Sequence, residues 1–322
     1  MNQGLSVLEE LLAEAREFQL QGQLDCAKKA YRQVLDADPD QPIALHRLGI
    51  LIHMTEGDSE TAIKLIQKAI LLAPEYASAN INLGNIFREI GNLDLAAKSY
   101  SKAIALKPTS SEAYGNLGLV LQELGMFSKS ADCYRKSLLL NPMQTQTLSN
   151  LGNLLVEMGE LKEAIDKFKA AVSARPDEPQ LHWNLGSALV LVNDLSGALE
   201  SFQRASDLQS ENAVTQNSLG LVLQRIGKLE QAAEKYRNAL DLAPDSVEYL
   251  GNLANVSELL SKFEDAARLY SRVLEIDPQH QEAAGSLGSI LLAFGKLEEG
   301  LKMERQGFGV IRFELETGIC NL

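Results

Sequence analysis

From residue 77 to 110 the chain reads ASANINLGNIFREIGNLDLAAKSYSKAIALKPTS. Leu83, Ile86, Phe87 and Ile90 recur at helical spacing and predict a first helix with one apolar face. Gly91-Asn92 ends it, because glycine accepts the left-handed backbone that closes a helix. Leu95, Ala96, Tyr100, Ala103, Ile104 and Leu106 predict a second helix, which Pro108 stops. Gly84 falls in the middle of the first helix, where glycine costs about 1 kcal/mol relative to alanine. A close approach by the second helix is the packing reason expected for it, with Ala96 and Ala103 as the small residues opposite.

The same pattern returns along the chain. The closing prolines are Pro39, Pro74, Pro108, Pro142, Pro176, Pro244 and Pro278; with Ser210 in the missing place, the steps are 35 and then 34 residues throughout. The early glycine recurs as Gly49, Gly84, Gly118, Gly152, Gly186, Gly220 and Gly288. The turn glycine recurs as Gly22, Gly57, Gly91, Gly125, Gly159, Gly227 and Gly295. The aromatic of the second helix is Tyr31, Tyr100, Tyr134, Phe168, Phe202, Tyr236 and Tyr270. A fixed period in this range predicts stacked two-helix units whose contacts run to neighbours only. One elongated repeat domain therefore replaces the two globular domains that 322 residues suggest.

These residues resemble the tetratricopeptide-repeat (TPR) family over residues ~8 to ~306. The resemblance implies an all-α, right-handed superhelical solenoid of about nine helix-turn-helix repeats, with first helices lining a concave groove. The domains expected are 1–306 for the repeats and 307–322 for a tail outside them. The residue before the recurrent leucine forms a column: Arg47, Asn82, Asn116, Asn150, Asn184, Ser218, Asn252 and Ser286. Asparagine is a mediocre helix former, so helix propensity does not explain it here. Three positions on, Asn85, Asn153, Ser187, Asn255 and Ser289 widen the polar strip. The spelling Asn-Leu-Gly resembles the TPR region of O-linked N-acetylglucosamine transferases, which implies asparagines on the inner face that bind peptide backbone. An amide both donates and accepts, so it can hold an extended chain without demanding particular side chains; it can equally bond the neighbouring helix. Trp183, the single tryptophan, falls beside Asn184, as a groove anchor or as packing between units. The peptide-binding candidates are thus Asn82, Asn85, Asn116, Asn150, Asn153, Trp183, Asn184, Asn252 and Asn255. Some family members grip a C-terminal carboxylate with lysine and arginine on consecutive first helices. The matching positions here are Ile81, Asn85, Glu112 and Asn116, so that ligand is not expected.

Charge narrows the partner. The chain carries a net charge of −13, with no basic track for phosphates or anionic lipid, so a protein or peptide of basic or mixed charge is expected and nucleic acid is not. No apolar run approaches the ~18 residues of a membrane helix, and the N-terminus lacks a basic start, so no membrane insertion and a cytoplasmic location are expected. Cys26, Cys133 and Cys320 lie far apart; Cys26 and Cys133 read as small packing residues. His46 and His53 share a helix face near Arg47 but lack a third ligand at a suitable spacing, so they read as polar groove lining and not as a metal site. No catalytic motif is found, and no catalytic residue, cofactor or metal is expected.

Departures from the period are informative. The second unit has an extra residue between Gly49 and Gly57, which should bulge or kink its helix end. Asn193 and Ser261 stand where turn glycines are usual, and Ala254 where the early glycine is; Glu304 takes the aromatic place in a ninth unit expected to fray or cap. Gly307 and Gly309 should break the last helix. After them Ile311, Phe313 and Leu315 alternate with Arg312, Glu314 and Glu316 at strand period. A lone strand is not stable by itself, so the tail should dock on the last repeat, pair with another chain or begin a further domain. The functions expected are a non-catalytic interaction scaffold, the substrate-recognition arm of a glycosyltransferase-like enzyme, or a self-assembling scaffold forming homo-oligomers.

Overall fold

The computed structural model describes residues 2–308, together with Arg312–Phe313 and Cys320–Asn321. Those residues hold eighteen helices in tandem. The first helices of successive units are α1 (Asn2–Leu20), α3 (Pro42–Glu56), α5 (Ala77–Glu89), α7 (Ser111–Glu123), α9 (Thr145–Glu157), α11 (Pro179–Leu191), α13 (Ala213–Arg225), α15 (Val247–Leu259) and α17 (Gln281–Ala293). The second helices are α2 (Leu24–Ala37), α4 (Ser59–Leu72), α6 (Leu93–Leu106), α8 (Phe127–Leu140), α10 (Leu161–Ala174), α12 (Leu195–Leu208), α14 (Leu229–Leu242), α16 (Phe263–Ile276) and α18 (Leu297–Phe308). They form two compact bodies, residues 1–160 and 161–322. The fold is an all-helical TPR solenoid.

The mid-helix glycine is explained by a ring. A Cβ on Gly84 would lie 2.7 Å from Tyr100, on Gly118 2.7 Å from Tyr134, and on Gly220 2.5 Å from Tyr236. Each of these three rings lies against the bare backbone of the first helix, with wholly buried Ala96 and Ala103 on either side of Tyr100. Burying such a ring contributes about 1.5–3 kcal/mol of hydrophobic stabilisation, more than the glycine costs in helix propensity.

The turns share one closure. Gly91 has φ +77°; its N–H donates to Arg88 O, and the next N–H, of Asn92, donates to Phe87 O at 2.7 Å. This Schellman pairing satisfies the carbonyls a helix end leaves open. Asn193 and Ser261 keep the left-handed conformation without glycine, each at φ +60°. In the second unit the extra residue produces no bulge. It extends α3 to 15 residues against 13 in α5, and Gly57 N–H bonds His53 O instead, the simpler left-handed cap.

The last unit departs from expectation twice. α18 continues through Gly307 to Phe308, because that glycine packs against the backbone of Gly285, where no side chain fits. In the tail, Arg312–Phe313 pairs antiparallel with Cys320–Asn321, so the strand's partner lies in the tail itself. Ile311, Glu314, Leu315 and Glu316 lie outside the described residues.

Candidate functional site

The asparagine column falls on the first helices and is half-buried wherever it is occupied. In the first body, Asn82 Nδ2 donates to His46 Nε2 of the preceding unit at 2.9 Å. Asn116 Nδ2 donates to Asn85 Oδ1 at 3.1 Å, and Asn85 Oδ1 also accepts from the Tyr100 hydroxyl at 2.7 Å. Asn150 Oδ1 accepts from Gln146 on its own helix at 2.8 Å. Asn153 is exposed and makes no side-chain hydrogen bond among the described residues.

The second body repeats the theme. Asn252 Nδ2 donates to Asn217 Oδ1 at 2.9 Å, and Asn217 donates to Glu248 at 2.8 Å. Asn184 Oδ1 accepts from Gln180 at 2.9 Å, while exposed Asn255 accepts from Gln224 at 2.7 Å. Trp183 is half-buried: its Nε1 donates to Ser218 Oγ at 3.2 Å, its ring tilts against Phe202 at 6.5 Å, and it borders a cavity of about 180 Å³ with Gln180 and Thr215.

One rule underlies three of these bonds. His46, Trp183 and Asn217 occupy the same place in their units, one residue before the column. Each reaches the column residue of the next unit: Asn82, Ser218 and Asn252. Asn82, Asn116 and Asn252 are thus fastened to the preceding unit through their amide nitrogens, while their carbonyl oxygens accept no hydrogen bond among the described residues.

Two expectations about single residues, His46 and Cys26, need correction. His46 is not groove lining: it is 1% exposed, stacked edge-on against Tyr76, with Nδ1 at 2.9 Å from the Tyr76 hydroxyl. Burial first, then the nearby Arg47 charge, lowers its pKa to about 4 and keeps the ring neutral. His53 turns to Glu89 of the next unit, 2.6 Å away, and to Ser59. Cys26 is exposed and not a packing residue, whereas Cys133 is half-buried with a thiol pushed up to about 11 by burial and by Asp132.

The comparisons agree with this architecture. Residues 2–219 match the family model described as the C-terminal domain of cilia and flagella-associated protein 70. Residues 217–280 and 260–305 match a tetratricopeptide-repeat model. The chain belongs to the first of these families and is built of TPR units. No curated protein matches its sequence. Among solved structures, the C-terminal part of a TPR repeat-containing protein from Cytophaga hutchinsonii superposes with a TM-score of 0.62 at 17% identity, covering 75% of this chain and 99% of that one. Pseudomonas aeruginosa pilF gives 0.56 at 19%, covering 68% and 98%. YrrB, a TPR protein with an unusual peptide-binding site, gives 0.52 at 23%, covering 62% and 100%. At these identities the likeness establishes the TPR fold.

Neither matching family description names a catalytic activity. Among the described residues no cluster of three or more His, Cys, Asp or Glu is arranged to hold a metal ion, and no helix is long and apolar enough to cross a membrane. A TPR chain of this kind presents surface for protein–protein interaction.

Proposed function

We propose that the chain is a non-catalytic scaffold whose first-helix faces hold an extended peptide or partner segment through backbone-directed amides. The observation that carries this reading is the half-engaged asparagine column. Asn82, Asn116 and Asn252 are each tied to the preceding unit through the amide nitrogen, and their carbonyls accept no hydrogen bond among the described residues. Tying one end fixes the rotamer before a ligand arrives, which lowers the ordering entropy of binding. Free carbonyls on this face suit the N–H groups of an extended chain. Repeats over 1–306 form the binding region in this reading, with 307–322 a separate tail.

The test is affinity capture from native extract with the full chain and with Asn116→Ala/Asn150→Ala. Loss of a partner supports the reading. Retention of every partner makes the column structural. The alternative, a recognition arm for a glycosyltransferase-like enzyme, is supported by the Asn-Leu-Gly spelling alone and predicts that the captured set includes a transferase.

A further inference from the structure

Glu304 stands where seven of the other units carry an aromatic, beneath Gly288, and it is 3% exposed. One carboxylate oxygen, Oε1, accepts from the hydroxyl of exposed Ser289 at 3.0 Å; the other, Oε2, has no hydrogen-bond partner. A buried carboxylate bonded on one side only is held at a cost unless a cation compensates it. The pairing follows the Tyr100–Asn85 geometry fifteen residues apart, so the charge lies directly behind the exposed first-helix face.

By repeat register, two further carboxylates take the places beside Ser289 and Ser286. Glu258 has the place that Gln224 has one unit earlier, and Gln224 reaches Asn255, the counterpart of Ser289. The Tyr270 hydroxyl holds Glu258 at 2.8 Å. Glu282 has the place of Gln146 and Gln180, each of which reaches the column residue four positions on, the counterpart of Ser286. Neither α15 nor α17 contains a lysine or arginine, and no ion pair compensates Glu258, Glu282 or Glu304 among the described residues. Of the basic side chains in these units, Arg268 pairs with Asp265, Arg272 with Asp245 and Glu275, and Lys296 with Glu299; Lys262 caps α16 and Lys302 and Arg305 lie on α18, none of them in an ion pair with these carboxylates among the described residues.

We infer that the first-helix face of the last two units binds a basic side chain, arginine or lysine, of an extended peptide. Glu258 and Glu282 contact the cation, and Glu304 acts through Ser289 as a fixed charge that positions it. No group of three or more His, Cys, Asp or Glu among the described residues could hold a metal ion, whereas the several donors of a guanidinium or ammonium can be shared between separate carboxylates. This inference rests on the peptide-binding reading above and names the chemistry it selects in the second body.

The test uses the full chain and two fluorescein-labelled hexapeptides of alternating arginine and serine, one with citrulline in place of arginine. The arginine peptide should bind about tenfold more weakly to Glu258→Gln/Glu282→Gln, and several-fold more weakly to Glu304→Gln. Glu264→Gln/Glu298→Gln, which removes equal charge from the second helices, should change affinity less than about twofold. Equal loss in that control, or unchanged affinity in Glu304→Gln, overturns the inference. Equal binding of both peptides removes the cation site and leaves the amide reading standing; binding of neither removes both.

Discussion

Asn82 Nδ2 donates to His46 Nε2 at 2.9 Å, which requires that ring nitrogen to be unprotonated. The bond ties the second unit to the third and makes it sensitive to pH. The His46 pKa is lowered to about 4 in the folded chain, chiefly by burial, against about 6.5 when unfolded. Between those values the unfolded chain takes up a proton that the folded chain does not. Stability is therefore full above about pH 6.5, falls as pH drops towards about 4, and is level below that. The upper bound on the loss is about 3 kcal/mol. His46→Asn recreates the Asn217–Asn252 pairing without a titrating ring. It should be less stable than the parent at pH 7, with the gap narrowing by pH 4.5. Urea unfolding across that range measures it, and a constant gap would refute the assignment.

Two helical glycines make a contrasting pair. A Cβ on Gly220 would sit 2.5 Å from the buried Tyr236 ring, whereas one on Gly251 meets nothing within 4 Å. Gly220→Ala should cost about 1–3 kcal/mol through overpacking. Gly251→Ala should stabilise by about 0.5–1 kcal/mol, because only the helix propensity changes. Equal effects in urea unfolding would mean that the ring shifts freely.

Much of this was legible in the letters. The spacing of glycine, alanine and aromatic located every helix pair, because ring-on-glycine packing is satisfied within one unit. The bonds from His46, Trp183 and Asn217 to the next unit were not legible. They depend on how consecutive units are rotated, and the three residues share no letter. Glu304 read as decay of the pattern, since a carboxylate in an aromatic place gives no hint of being buried. The extra residue of the second unit read as a kink, although a helix end absorbs it by exchanging one glycine cap for another.

The thiols should separate cleanly. Cys26 is exposed on α2, while burial and the neighbouring Asp132 raise the Cys133 thiol to about 11. With Cys320 replaced by serine, one thiol should react promptly with a disulfide reagent at pH 8 and the second only on unfolding. Two fast phases in the native protein would contradict the burial of α8.

Ser261 and Asn193 hold the left-handed turn at φ +60° with a Cβ present, but they are not equivalent. Asparagine tolerates this conformation, and Asn193 Oδ1 also accepts from Arg225 Nη2 of the next unit at 2.8 Å. Serine pays the steric penalty without such a bond; its backbone N–H merely closes the turn on Glu258 O. Ser261→Gly should stabilise by about 0.5–1 kcal/mol, since relief of roughly 1–2 kcal/mol of strain exceeds the added entropy of the unfolded chain. Asn193→Gly should be neutral or destabilising by a few tenths of a kcal/mol, because the strain is smaller and the Arg225 bond is lost. The same substitution at matching turns thus separates the conformational demand of the motif from the contact made by its side chain. Equal shifts in the unfolding midpoint at the two sites would show that the Asn193–Arg225 bond contributes nothing to stacking.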